Sequence, residues 1–560
     1  MKPFVPASII STCALLCACG TPHHLGSSAT DDAGPTDPSS IAAPQRLDLL
    51  LMVDNSWAMS TKQSLLADSA VRLLEQLSTS IPDIHVGVIS SSLGDAGDST
   101  VCSRPESKDM AHLLGSLERG SNAGADEHGI LSWRSGQPLD AFEGNVRTLI
   151  RAAGELGCGY EASLEAWYRF LLDPKPYASL QRVPCRPGNT ATDCIGPSLD
   201  QNGEPLVDSQ LLAQRAAFLR ADSLLVLVTL SDENDCSIRV GDQSWRVSSQ
   251  ANQMPRGSST CGENPNAACC YSCRGLKPES CDADAQCKAA PLMTRPEDSL
   301  SLRCFEQKRR FGSDFLYPTE RYVNALTQPE LCFENDSLAS ASCPGNLVPN
   351  PLLAQRPRSH LMLAPVVGVP WQRITQGSGS ERRLDTREQL EAGGWGEILG
   401  QPQADPPVAP ADPFMIESSS PRQGIASDNE INGREYDTSF GEGTPRDLEF
   451  ACIFRLPQPA DCSGANPAAE PACTCAQDQN SPVCEDVPGQ SQPGAVQYWD
   501  RAFPAPRQLE VARGFGAAGG ELVLGSACPI SVSDTTRADY GYRPVADAIL
   551  ARLAPQLPAR

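Results

Sequence analysis

The sequence is short of positive charge and of histidine. It sets 45 Lys and Arg against 68 Asp and Glu, a formal net charge of −23 over 560 residues. This balance excludes nucleic acid as a partner, because phosphates must be met by Lys and Arg. It also leaves no polybasic patch for a membrane surface. Charge of this size favours solubility and repels other acidic surfaces. The six histidines form no His-Glu-x-x-His pattern, and His85 falls within an apolar run, where packing rather than metal ligation is expected. The Gly-x-Ser-x-Gly elbow and the phosphate-binding P-loop are also missing. Nothing pairs a nucleophile with a base, so the chain is expected not to be an enzyme. Beyond the first 18 residues no apolar run is long enough to cross a bilayer as a helix.

Cysteine is plentiful, at 23 residues. Met1 and Lys2 give a positive start, and Pro6 to Ala18 is apolar and small. That run is too short for a permanent span and reads as an export signal over residues 1–18. It ends in Leu16-Cys17-Ala18-Cys19-Gly20, which resembles the lipobox of bacterial lipoproteins. The resemblance implies that Cys19 is lipidated and that the rest is extracytoplasmic. The chain would then be held to the bacterial cell envelope, with the outer membrane expected, by the lipid alone. Setting aside Cys13, Cys17 and Cys19 leaves twenty cysteines, an even number that suits disulfides in an oxidising compartment.

Residues 19–45 are rich in Ser, Thr, Asp, Gly and Pro and have little to bury, so they read as a flexible tether. Leu47 to Val53 is then a nearly unbroken apolar run, as in a strand covered on both faces. Ser60 is expected to cap a helix whose apolar stripe is Leu66, Ala70, Leu73, Leu74 and Leu77. Ile84 to Ile89 reads as a second strand and Ser223 to Leu230 as the clearest buried one. Leu361 to Val369 and Leu522 to Leu524 are further strands. Phe142 to Leu156, Glu161 to Leu172, Asp208 to Arg220 and Val545 to Leu553 read as helices. The fold class is therefore α/β, with a mostly parallel sheet flanked by helices. Two stretches break the pattern. Residues 236–357 hold ten cysteines, and residues 376–508 are rich in Pro and Gly and hold Cys452, Cys462, Cys473, Cys475 and Cys484. Both read as loop-rich insertions between strands of one sheet, needing staples because they have little core of their own.

Asp54-Asn55-Ser56-Trp57-Ala58-Met59 follows the first strand. An Asp with a hydroxyl two residues on, at the carboxyl end of a buried parallel strand, sits where α/β sheets bind ligands. Hard cations take such oxygens. The segment resembles the Asp-x-Ser-x-Ser motif of the metal-ion-dependent adhesion site in von Willebrand factor A (vWA) domains, with Ala58 in place of the second serine. The resemblance covers residues 46–557 apart from the insertions. The segments Arg356 to Trp371, Ser526-Ala-Cys-Pro and Asp539-Tyr-Gly-Tyr-Arg-Pro extend it to vWA-like lipoproteins of the kind found in myxobacteria and their relatives. It implies a Rossmann-like sheet and a degenerate site in which Asp54, Ser56 and Asp232 hold Mg²⁺ or Ca²⁺. Glu161, Glu233 and Asp235 are additional oxygen donors. Cys158 falls where the family has a threonine, and a thiol is a poor ligand for Mg²⁺. A Cys102–Cys158 disulfide across the top of the sheet is expected instead.

Cys270-Tyr-Ser-Cys273 and Cys473-Thr-Cys475 have zinc-like spacings, but an oxidising compartment favours disulfides. Cys281 to Cys287 reads as a tight staple around solvated acids. The leading expectation is an envelope-anchored binding or adhesion protein, with a protein or carbohydrate ligand whose acidic group completes the metal shell. The alternative is a metal-independent scaffold whose disulfide-rich insertions carry the binding surface.

Overall fold

The computed structural model describes residues 43–94, 102, 108–185, 193–332, 347–354, 356–439, 447–464, 473–476, 478–487 and 494–557. The expected signal peptide, Cys19 and nearly all of the tether lie outside them. The apolar run after Arg46 forms strand β1 (Arg46–Val53). It pairs in parallel on one side with β2 (Asp83–Ser90) and on the other with β4 (Leu224–Leu230). Further out, β5 (Leu361–Val367) runs parallel to β4 and carries two short strands, β8 (Glu521–Leu522) and β9 (Gly525–Ser526). The opposite edge is β3 (Leu131–Arg134), the one antiparallel member of this seven-stranded sheet. The expected strand at 522–524 is thus split into β8 and β9.

Alternation along the strands sorts their side chains into two layers, because successive residues point to opposite faces. Leu50 and Met52 of β1, with Leu225 and Leu227 of β4, face a core closed by α3 (Ser163–Leu171), α4 (Ser209–Phe218), α5 (Thr319–Thr327) and α6 (Pro506–Ala517). Leu49, Leu51 and Val53, with Val226 and Val228, face a second core closed by α1 (Ser60–Leu77), α2 (Leu139–Arg151) and α7 (Arg543–Leu553). Trp167 is fully buried in the first layer and Leu74 in the second. Removing such a side chain to Ala costs about 2–5 kcal/mol.

Several local expectations shift. Helix α2 starts at Leu139, before Phe142, and α4 starts after Asp208, which accepts from the Leu211 N–H at 3.0 Å. Ser60 does not cap α1; its own N–H donates to Glu155 Oε1 at 2.9 Å, so a carboxylate from a distant loop serves the first turn. The insertions also do more than hang from the sheet. Tyr322, Ala325 and Leu326 of α5 pack into the first core, as do Leu390, Trp395 and Ile398 from the second insertion. Short, apolar stretches inside both insertions therefore complete one face of the sheet.

Nine disulfides join described cysteines, in keeping with an oxidising, extracytoplasmic setting. The zinc-like spacings are used for bridges: Cys270 pairs with Cys261, Cys273 with Cys287, Cys473 with Cys462 and Cys475 with Cys484. Cys281 is not stapled to Cys287 but to Cys269. Asp284 caps the short helix Ala285–Ala289 that holds Cys287, and both cysteines meet partners outside their own loop. Among the described residues no helix is long and apolar enough to cross a membrane.

Candidate functional site

Strands β1 and β4 are neighbours in register, with Val53 opposite Leu230, so the loops that leave them start side by side. Asp54 N–H donates to Leu230 O at 2.9 Å and fixes the junction. Asp54 is fully buried. One of its oxygens accepts from the Ser56 N–H at 2.8 Å and from the Ser91 hydroxyl at 3.3 Å. The other accepts from the Ser231 hydroxyl at 2.6 Å. Ser56 Oγ donates to Asp232 Oδ1 at 3.3 Å, so Asp54, Ser56 and Asp232 converge. Burial, then the charge of Asp232, pushes the Asp54 carboxyl up to about 6, against the pull of its hydrogen bonds.

A buried ammonium meets one of these groups, Asp232. Lys62, in the first turn of α1, has no exposed side-chain surface, and its Nζ is 3.1 Å from Asp232 and 2.7 Å from Asp500. The same Nζ donates to Ala58 O at 3.0 Å. Ala58, where the motif loses its second serine, takes a positive φ of 69°, a left-handed turn unusual for a residue with a Cβ. Burial pulls the Lys62 pKa down, but Asp232 and Asp500 outweigh it and hold the group above its ordinary value. Asp500 comes from the second insertion. It lies on β7 (Val496–Ala502), which pairs with β6 (Cys452–Asp461) in a hairpin tied by Cys452–Cys528 to the segment after β9. Phe503 N–H donates to Asp232 O at 2.7 Å and lays the end of this hairpin over the site.

The loop before α3 forms the neighbouring wall. Cys158 is bonded to Cys102, and its N–H donates to Ser92 Oγ at 2.8 Å. Gly157 is needed there, since a Cβ would come within 2.6 Å of Asn55 Oδ1 and 2.7 Å of Ser92 Oγ. Glu161 follows, 4% exposed, and faces the carboxyl of Glu233. Burial and the neighbouring negative charges raise both of these acids. Asp235 is turned away from the others. Its carboxylate accepts from Leu164 N–H at 2.9 Å and Ser237 Oγ at 2.6 Å, and pairs with Arg507 at 3.1 Å. It therefore caps α3 and belongs to the scaffold.

Above these groups is a cavity of about 350 Å³. Ser56, Trp57, Glu161 and Glu233 line it from the sheet side. Phe305 comes from the first insertion; Glu417, Asp447, Arg501 and Phe503 come from the second and its margin. Asp54 and Asp232 do not line it. Burial pushes the Glu417 carboxyl up to about 8 and raises Asp447. Among the described residues no group of three or more His, Cys, Asp or Glu is arranged to hold a metal ion.

The sequence points to Asp54, Ser56 and Asp232 but not to Lys62, Asp500 or the insertion carboxylates. Lys62 left a trace: it stands one helical turn before Leu66, in line with the apolar stripe of α1, where a charged residue needs a buried partner. Nothing local marks Asp500. Compared with family models, curated proteins and solved structures, the chain matches none.

Proposed function

We propose that the chain is an envelope-anchored, vWA-like binding protein that works without a metal. In this reading Lys62 occupies Asp232, one of the oxygens that the resemblance assigns to a cation, and the two insertions build the walls of the binding face. The observation that carries this reading is the Lys62 ammonium, unexposed and 2.7 Å and 3.1 Å from Asp500 and Asp232. An ammonium on Asp232 supplies positive charge beside the oxygens that would receive Mg²⁺ or Ca²⁺ and repels a second cation. Ala58 fits the same account, because the oxygen it offers is a backbone carbonyl already taken by Lys62. Anchoring through Cys19 accords with the disulfide-bonded body and with a chain whose described helices do not cross a membrane.

Thermal unfolding with Mg²⁺, Ca²⁺, Mn²⁺ and chelator tests the reading. The wild type is expected to show the same midpoint in all four. Lys62→Ala, which leaves Asp232 and Asp500 facing an empty position, is expected to unfold at lower temperature and to recover part of the loss with a divalent ion. A clear upward shift of the wild type with any of the three ions overturns the proposal.

A further inference from the structure

The site residues carried over from the family resemblance point to an acidic ligand group that completes a metal shell. The cavity has the opposite character. Glu161, Glu233, Glu417 and Asp447 line it, against the single guanidinium of Arg501. Arg501 is itself engaged: it donates to Thr474 Oγ1 at 2.8 Å and lies 5.6 Å from the ring centroids of Phe450 and Phe503. An acidic ligand would enter against this field.

Glu161 is the more pointed observation. It is 4% exposed, and the largest charges acting on its carboxyl are those of Glu233 and Asp54, both negative. A buried carboxyl pair without a counter-charge is costly, and a cation placed between the two relieves it. The remaining walls suit an organic cation better than a bare ion. Trp57, 43% exposed, stands at the solvent side. Tyr160, Phe305 and Phe503 add aromatic surface, and Tyr160 Oη is held 3.0 Å from Val247 O and from Leu300 O, which leaves its ring for the cavity. Carboxylates beside aromatic faces are the surroundings that recognise ammonium and guanidinium groups. The molecule already holds one such group nearby, Lys62 between Asp232 and Asp500.

We propose that this cavity binds an organic cation, a primary ammonium or guanidinium group, through Glu161 and Glu233 with the aromatic walls around its stem. The inference rests on the metal-independent reading above, because a divalent ion in the same place would compete for the same carboxyls.

The test is titration of the full, oxidised chain followed by calorimetry and tryptophan fluorescence. The probes are cadaverine, Nα-acetyl-lysine amide, Nα-acetyl-arginine amide and the neutral Nα-acetyl-norleucine amide. Saturable binding of at least one cation, with the norleucine compound silent, supports the site. Cadaverine alone then identifies a free amine as the ligand form, and the amino-acid amides alone identify a partner's side chain. Glu161→Gln with Glu233→Gln is expected to weaken the best probe at least tenfold. Should that pair of changes prevent folding, Glu417→Gln on the facing wall and Trp57→Ala at the rim are each expected to weaken it several-fold. Equal binding of the norleucine compound, no binding by any cation, or unchanged affinity in the variants overturns the proposal. The two readings fail separately: a divalent-ion shift in wild-type unfolding removes metal independence, whereas silence to metals and to amines removes only the cation site.

Discussion

Strand β1 carries a buried carboxylate near each end, and the two are treated differently. Asp48, at the start of the strand, is unexposed and fully matched: Arg220 gives it the backbone N–H at 2.8 Å and Nε at 2.8 Å, and Ser223 adds its hydroxyl. Arg220 goes on to Asp83 at 2.7 Å, and Arg356 backs Ser223 at 3.0 Å. Positive and negative groups are in balance there. At the far end Asp54 is equally unexposed, but among the described residues no cation pairs with it, and only hydroxyls and one N–H reach it. Its neighbours Asp232 and Asp500 share Lys62 and feel the charge of Arg501, whereas Glu161 and Glu233 face each other. The lower end is closed for stability. The upper end keeps buried acids that, among the described residues, no cation pairs with, the feature on which the proposed cation site rests.

The comparison breaks most sharply at Lys62. Lys62→Met leaves Asp232 and Asp500 buried without the ammonium they share, and a loss of about 3–5 kcal/mol is expected in chemical unfolding. Freeing the hairpin ranks next. Cys452→Ala with Cys528→Ala removes a bridge of sequence separation 76 and is expected to cost about 3–4 kcal/mol. The same double variant should loosen β7 and raise amide exchange at Asp500 more than at Asp48. At the lower end, Asp48→Asn strands part of the charge of Arg220, and a loss of about 2–3 kcal/mol is expected.

The pH dependence sharpens the contrast further. Glu449 is unexposed beside Tyr436 in the upper half, and burial, with the charge of Glu435, pushes its carboxyl up to about 8. A raised carboxyl binds its proton more tightly in the folded state. Stability is therefore highest below the unfolded value of 4.5, falls as pH rises towards 8 and levels off above it. Glu449→Gln is expected to flatten that fall by about 2 kcal/mol between pH 5 and pH 8. Asp54→Asn is the smallest change. It removes a charge that no cation balances while leaving an acceptor for the Ser56 N–H, and less than about 1 kcal/mol is expected at neutral pH. A loss as large as that of Asp48→Asn would remove the distinction between the two ends.

Much of the sheet is legible in the residues themselves. Leu47 to Val53, broken only by Asp48, and Leu224 to Leu230, broken only by Thr229, are otherwise apolar, the pattern of a strand covered on both faces. The same pattern brings Asp54 and Asp232 together, since both follow such strands. The strands β8 and β9 are only two residues each and helix α5 is nine residues long inside a cysteine-rich loop region, too short for their exact bounds to be read from the residues. Their place is set by packing on β5 and on the first core. The pairing of Cys281 with Cys269 depends on how loops cross, which local spacing does not encode. Asp500 is invisible for the same reason, being brought to Lys62 by a hairpin whose register and anchoring disulfide are long-range.

The origin of Asp500 has a consequence for how the molecule assembles. The first described unit of the sheet, strand, turn and helix from Arg46 to Leu77, holds a side chain whose second counter-ion, Asp500, is supplied more than 400 residues later in the chain. Until the segment carrying Asp500 has settled, the opening unit carries a half-neutralised ammonium in its interior. A fragment that ends before it has an electrostatic reason to stay open.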